Sequence, residues 1–250
     1  MEPVEISVVV PAFDEARRLP ATLLRVMAHL SSGGRRFEVI VVDDGSRDAT
    51  AAVAAQGLAC LNEHGRLLRL GANRGKGAAV RAGALAAHGA RVLVTDADLS
   101  TPIEELAALE RACDAGADIA IGSRALDRSL IARPQPLARD FGGRLFNLVV
   151  RSFALPGIRD SQCGFKLFRR ESVAPVFGRA GIDGFGFDVE VLAIARHLGY
   201  RISEVPVRWS NDGDTRVSLL RGIAAFADPL RVRLGLWLGR YGERGGACRS

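Results

Sequence analysis

Apolar residues in this chain fall in short continuous runs, separated by longer stretches in which they recur at helical spacing. Ile6-Ser7-Val8-Val9-Val10 is a β-branched run that stops at Pro11. Residues 37–42, 67–70, 91–95 and 118–122 repeat the pattern. Between them, residues 22–30, 48–58, 77–88 and 102–113 read as helices. The last has Pro102 in its first turn and Glu104 and Glu105 near its start, as the helix dipole favours. Buried strands alternating with helices predict an α/β fold with a parallel sheet covered on both faces. After Ser123 the rhythm changes. Residues 124–140 carry Arg124, Arg128, Arg133 and Arg139 with two prolines, and read as a mobile basic loop. An amphipathic helix over 141–153, a strand over 163–168, a helix over 187–198 and a strand over 202–209 follow. Residues 219–238 form a last amphipathic stretch, divided at Pro229.

In open α/β sheets ligands bind beyond the carboxyl ends of the strands. The polar signatures fall there: Pro11 to Glu15, Asp43 to Ser46, and Asp96 to Asp98. Asp96-Ala97-Asp98 is the sharpest. On an extended chain its two carboxylates share a face, and their repulsion is relieved by a hard divalent cation that also takes substrate phosphates. Asp43 can accept from a ribose or a base N–H, or serve as a turn residue before Gly45. Asp44 and Ser46 can cap the next helix. Asn73-Arg74-Gly75-Lys76-Gly77 opens a helix whose N–H groups, with the Lys76 charge, suit an anion. Its spacing is not that of a Walker A loop, and no GxGxxG follows the first strand, which argues against a dinucleotide-dependent dehydrogenase.

Composition narrows the classes. A chain of 250 residues, 48% hydrophobic and 25% charged, suits one large α/β domain and excludes disordered, collagen-like and coiled-coil chains. No apolar run approaches the ~18 residues of a membrane span. The acidic N-terminus lacks signal-peptide character. Cys60, Cys113, Cys163 and Cys248 are scattered, without ligand spacing, and read as free thiols in a reducing compartment. The net charge of +6 points to an anionic partner, and the aromatics do not interleave with the basic residues as nucleic-acid binding requires. Lys76 and Lys166 are the only lysines. His29, His64, His88 and His197 fit no motif.

Four motifs in order carry a resemblance. They are Val9-Val10-Pro11-Ala12-Phe13-Asp14-Glu15, Val41-Val42-Asp43-Asp44-Gly45-Ser46-Arg47-Asp48-Ala49-Thr50, Asn73-Arg74-Gly75-Lys76-Gly77 and Asp96-Ala97-Asp98. Together they resemble the inverting glycosyltransferases of family 2, which have the GT-A (Rossmann-like) fold. Gly122-Ser123-Arg124, Asp160-Ser161-Gln162-Cys163-Gly164-Phe165-Lys166-Leu167-Phe168, Phe187-Asp188-Val189-Glu190 and Glu204-Val205-Pro206-Val207-Arg208-Trp209 are similar to the dolichyl-phosphate β-glucosyltransferases and polyprenyl-phosphate hexose synthases.

The resemblance implies a role for each matching residue. Pro11, Ala12, Phe13, Glu15 and Asp43 line the nucleoside pocket, with Lys76, Ala97 and Arg216 near the nucleotide sugar. Asp96 and Asp98 hold the diphosphate through Mg²⁺ or Mn²⁺. Arg124, Arg139 and Arg144 meet the acceptor phosphate. Asp98, Arg124 and Asp188 are the catalytic candidates. Asp14 stands where Asn is frequent, and Asp214-Thr215 alters the usual pattern before Arg216. The reaction implied is hexosyl transfer, from UDP-glucose, to a polyprenyl or dolichyl phosphate. GDP-mannose as donor, or a soluble hydroxyl acceptor with Asp188 as base, stay open. So does a non-catalytic sugar-nucleotide sensor. Residues 1–216 then form the catalytic domain and 217–250 an amphipathic segment. Residues 141–153 and 219–237 are the candidate membrane-facing stretches, or else pack against the sheet. The implied location is cytoplasmic, peripheral on the inner face of the cytoplasmic membrane.

Overall fold

A computed structural model describes residues 3–133, 137–211 and 227–242. The elements, in chain order, are β1 (Ile6–Ala12), α1 (Leu19–Ser32), β2 (Phe37–Asp43), α2 (Thr50–Leu58), β3 (Gly65–Arg69), α3 (Lys76–Ala86), β4 (Arg91–Val94), α4 (Leu106–Asp114), β5 (Ile119–Ser123), β6 (Ile131–Arg133), α5 (Leu137–Phe153), β7 (Lys166–Arg169), α6 (Arg170–Phe177), α7 (Phe187–His197), β8 (Ile202–Pro206), β9 (Trp209–Ser210) and α8 (Asp228–Trp237).

The main sheet has seven strands in the order β3-β2-β1-β4-β7-β5-β8. All neighbours are parallel except β7, which runs antiparallel to both β4 and β5. Pro11 stays inside β1, opposite Val42, because β1 and β4 stop pairing at Val9 and Val94 and the missing N–H is not required there.

Period-two alternation sends successive side chains of each strand to opposite faces. Ile6, Val8 and Val10 of β1, Val39 and Val41 of β2 and Leu93 of β4 meet Leu23, Val26 and Leu30 of α1 and Leu106 and Leu109 of α4. Val9, Ile40, Val42, Val92, Val94, Ile119 and Ile121 meet α3, α5, α6 and α7 on the other face. Burying each such Leu or Ile contributes about 1.5–3 kcal/mol, so both faces resist change. The expected parallel sheet covered on both faces is present, with one strand reversed.

Four expectations for the second half change. Residues 124–133 hold a short helical turn, Arg128–Leu130, and β6, which pairs with β9. The strand expected over 163–168 begins only at Lys166, and the strand expected over 202–209 breaks after Pro206. The helix around residues 141–153 starts earlier, at Leu137. Pro229 lies in the first turn of α8, where its missing N–H costs nothing, while residues 219–226 fall outside the described residues. Val232 of α8 is buried in the core that includes α7.

Candidate active site

The carboxyl ends of β1, β2 and β4 open at one edge of the sheet. Because β7 runs the other way, its amino end arrives at the same edge. This brings Gly164 and Lys166 beside Asp96, some seventy residues earlier in the chain.

Asp96 and Asp98 follow β4 in a turn, not on extended chain as expected. Leu99 N–H donates to the Asp96 carbonyl at 3.2 Å, and Leu99 adopts φ 47°. The turn is held by Thr22, whose hydroxyl donates to the Ala97 carbonyl at 2.6 Å, and by the Asp98 carboxylate, which accepts from Ser100 N–H at 2.9 Å. Gly164 lies so close that a Cβ there would fall inside the Asp96 carboxylate.

Charges of both signs converge on this turn. Lys76 Nζ sits 2.5 Å from Asp96 Oδ1 and 5.9 Å from the centre of the Phe187 ring. Burial pushes the Asp96 carboxyl up, but Lys76 outweighs it, and with help from Lys166 and Arg124 holds it below the ordinary range. Asp98 goes the other way: burial, then the Asp96 charge, push it up. Arg18, held by Glu15 through Nη2 at 2.5 Å, lies near enough to oppose that rise. Lys166 Nζ, almost fully buried, donates to Asp188 Oδ1 and to the Cys163 carbonyl, each at 2.5 Å. Arg124 forks onto buried Asp160 through Nε (2.7 Å) and Nη2 (2.8 Å), and its guanidinium lies 5.4 Å from the Trp209 ring centre. The chain's only two lysines thus flank one carboxylate cluster.

On the other side, Asp43 is buried and accepts from Ser46 N–H at 3.0 Å. Pro11 and Ala12 pair with β2, while Phe13 and Glu15 lie half-buried in the following turn. Asp14, at φ 53°, accepts from Arg47 N–H at 2.7 Å, a backbone region that Asp and Asn share. Asp44 and Ser46 do not cap α2. Asp44 accepts from Arg74 and Gly75 N–H, both at 2.8 Å, and Ser46 accepts from Asp14 N–H at 2.9 Å. The open helix start expected after Gly75 is also closed: the Asp183 carbonyl takes Gly77 N–H at 2.8 Å. Arg139 and Arg144 fall on α5, but their side chains, and all of Arg216, lie outside the described residues.

The family model for glycosyl transferase family 2 matches residues 7–177. The dolichyl-phosphate beta-glucosyltransferase of Drosophila melanogaster is 40% identical over 254 residues, covering 93% of this chain and 77% of that one. This chain belongs to glycosyl transferase family 2. Its architecture is the GT-A fold. Mannosyl-3-phosphoglycerate synthase from Rubrobacter xylanophilus superposes with a TM-score of 0.70 at 19% identity, over 95% of this chain and 76% of that one. Glucosyl-3-phosphoglycerate synthase from Mycobacterium tuberculosis, crystallised with Mn²⁺, UDP-glucose and phosphoglyceric acid, gives 0.68 at 18% identity, over 96% and 80%.

For a family 2 transferase the remaining question at this turn is a divalent cation. Among the described residues no three His, Cys, Asp or Glu side chains cluster as a complete ligand set. Two carboxylates next to each other, one of them pushed up by burial and then by its neighbour's charge, still suit a hard ion whose other ligands are phosphate oxygens and water. The sequence reading missed Asp44, Asp160 and Arg18. Asp44 and Asp160 sat inside quoted motifs, but their partners are 30 and 36 residues away, so no local spacing could assign them.

Proposed function

We propose that this chain moves glucose from UDP-glucose to a polyprenyl or dolichyl phosphate and leaves a β-linked lipid-phosphate sugar. The observation that carries the reading is the Asp96–Asp98 turn with Lys76 bound to it, at the strand ends where α/β folds take ligands. The name of the Drosophila relative supports the donor sugar and the acceptor class.

The cluster divides the work. Asp96 and Asp98 would hold Mg²⁺ or Mn²⁺, which when bound offsets charge on the departing nucleoside diphosphate. Lys76 exchanges Asp96 for a diphosphate oxygen as the glycosidic bond breaks, supplying a fixed cation where negative charge grows. Pro11, Ala12, Phe13, Glu15 and Asp43 form the nucleoside end. Arg216 belongs with the diphosphate by resemblance.

A phosphate monoester has a second pKa near ~6 and is largely dianionic at neutral pH, so it attacks without a general base. Asp188 supports this acceptor over a hydroxyl, because Lys166 already occupies its carboxylate at 2.5 Å. Asp188 serves the reaction by fixing Lys166 beside Asp96. Arg124, held by Asp160 through Nε and Nη2, is the residue this reading assigns to the acceptor phosphate, and Arg139 and Arg144 are assigned there by resemblance alone. Attack from the face opposite the leaving group inverts the anomeric carbon.

The lipid end has a matching surface. Leu230, Leu234 and Trp237 are exposed at helical spacing along α8, with Leu238 exposed just past its end, and Leu145 and Leu148 are exposed on α5. Exposed Arg233 and Arg240 flank the first row. Such a face suits the headgroup boundary of an anionic membrane. Among the described residues no helix is long and apolar enough to cross a membrane.

The test is product formation from purified protein, polyprenyl phosphate and Mg²⁺ with UDP-glucose or GDP-mannose. Lipid-linked β-glucose from UDP-glucose is expected. UDP-glucose turnover only with a soluble hydroxyl acceptor, or no lipid product from any sugar nucleotide, overturns the reading.

A further inference from the structure

Asp183 and Glu190 touch none of the proposed reacting groups, yet both hold the backbone from which Lys76 projects. Residues 181–186 cross the start of α3. There the Asp183 carbonyl accepts from Gly77 N–H at 2.8 Å and Ala78 N–H at 3.3 Å. The Asp183 carboxylate takes Arg81 Nη2 at 2.5 Å and Arg74 Nη2 at 3.1 Å. Gly75, at φ 116°, and Gly77 leave no space for a Cβ, because the carbonyls of Asp183 and Ile182 press against them. The first turn of α3 is therefore clamped by a neighbouring loop and not by a cap of its own.

The loop is held from behind in turn. Glu190 Oε2 accepts from Gly181 N–H at 2.9 Å and Ile182 N–H at 2.7 Å, and Oε1 accepts from the Tyr241 hydroxyl at 3.0 Å. Glu190 is buried, and each of its oxygens has a donor. Burial, then the Glu190 charge, push the Tyr241 hydroxyl up, so it stays a donor across the working pH range.

We propose that Glu190 and Asp183 are positioning residues for the donor diphosphate: they fix the start of α3 so that Lys76 reaches the Asp96–Asp98 turn, and Tyr241 completes the brace. This rests on the reading of Lys76 as a diphosphate ligand. Lys76 is the first residue of α3, so any shift of that turn carries its ammonium away from Asp96. A displacement of ~1 Å is enough to cost about a hundredfold when a charge must meet a reacting group. A role confined to stability would lower the melting temperature and leave substrate affinities alone.

Three variants of the full chain separate the two: Tyr241→Phe, Glu190→Ala and Glu190→Gln. Backbone amide exchange across residues 75–80 reports the clamp, and KM for UDP-glucose and for polyprenyl phosphate report its effect. In Glu190→Ala, exchange at Gly77 and Ala78 is expected to quicken about tenfold and donor KM to rise about tenfold, with acceptor KM within about twofold. Tyr241→Phe, the milder lesion, is expected to move both about threefold in the same direction. Glu190→Gln keeps an acceptor for the two loop amides and is expected to return both to within about twofold of the parent. The proposal is overturned if exchange at the α3 start is unchanged in both Tyr241→Phe and Glu190→Ala, or if the two KM values rise together. Should the parent protein transfer no glucose, the function proposed above fails by itself. Amide exchange and calorimetric UDP affinity in the same variants then decide the clamp, with loss of UDP affinity in step with faster exchange supporting it.

Discussion

Lys76 Nζ lies 2.5 Å from Asp96 Oδ1, so the cation proposed to receive the diphosphate already neutralises half of the proposed metal site. The two tasks oppose each other. Lys76→Met is expected to lower kcat/KM by at least ~100-fold, through loss of a fixed charge at the developing anion. It is also expected to tighten Mn²⁺ binding several-fold without donor, because Asp96 then faces Asp98 unpaired. Titration followed by electron paramagnetic resonance measures the second effect. Weaker Mn²⁺ binding in this variant would count against a cation at that turn.

Asp98→Ala separates metal from donor. Turnover is expected to vanish, while UDP-glucose affinity falls only in its metal-dependent part. Calorimetry with and without chelator reads this directly. Full activity of the variant in the presence of chelator would contradict the assignment.

The Lys166–Asp188 pair predicts a split between stability and activity. Asp188→Ala strands a buried ammonium and is expected to cost about 3–5 kcal/mol, seen as a lower urea midpoint. Replacing both, as Lys166→Met with Asp188→Leu, is expected to recover most of that stability while activity stays lost. Recovery of both would reduce the pair to a packing element.

Glu38 predicts an acid limb. It is buried at the far end of the sheet, where Oε1 accepts from the Ser7 hydroxyl and from His88 N–H, both at 2.6 Å. Burial raises its carboxyl, but these bonds outweigh it and hold the folded value below the ordinary 4.5. A depressed carboxylate stabilises the fold above about 4.5, and the contribution disappears as pH falls through the lower folded value. Ser7→Ala is expected to cost about 2 kcal/mol at neutral pH and to flatten the stability profile below 4.5. Denaturant titrations at several pH values measure both.

The exposed row on α8 predicts surface binding. Co-sedimentation with anionic vesicles is expected, with Trp237 emission shifting to the blue, and Trp237→Glu with Leu234→Glu is expected to abolish it. No sedimentation of the parent at low salt removes the lipid-facing role of this helix.

Much of the first half was legible because its strands are continuous apolar runs whose polar residues gather at one end. The reversed β7 was not, since direction leaves no mark on Lys166-Leu167-Phe168. Helix α6 was missed because Pro175 lies inside it and reads as a break. The Asp96–Asp98 carboxylate pair was legible in the sequence but its geometry was not: its turn depends on Thr22, seventy-five residues from Ala97. Arg124 was assigned from its motif alone, while its fork onto Asp160 had no local signal.

The reversed strand ties together three segments that lie far apart in the chain, β4, β5 and β7. Lys166 reaches Asp96 only by lying between β4 and β5, so no cut before residue 166 yields a half that keeps this charge cluster together. Recombining halves of related transferases would have to move β7 together with β1 to β4, however much the chain order suggests otherwise.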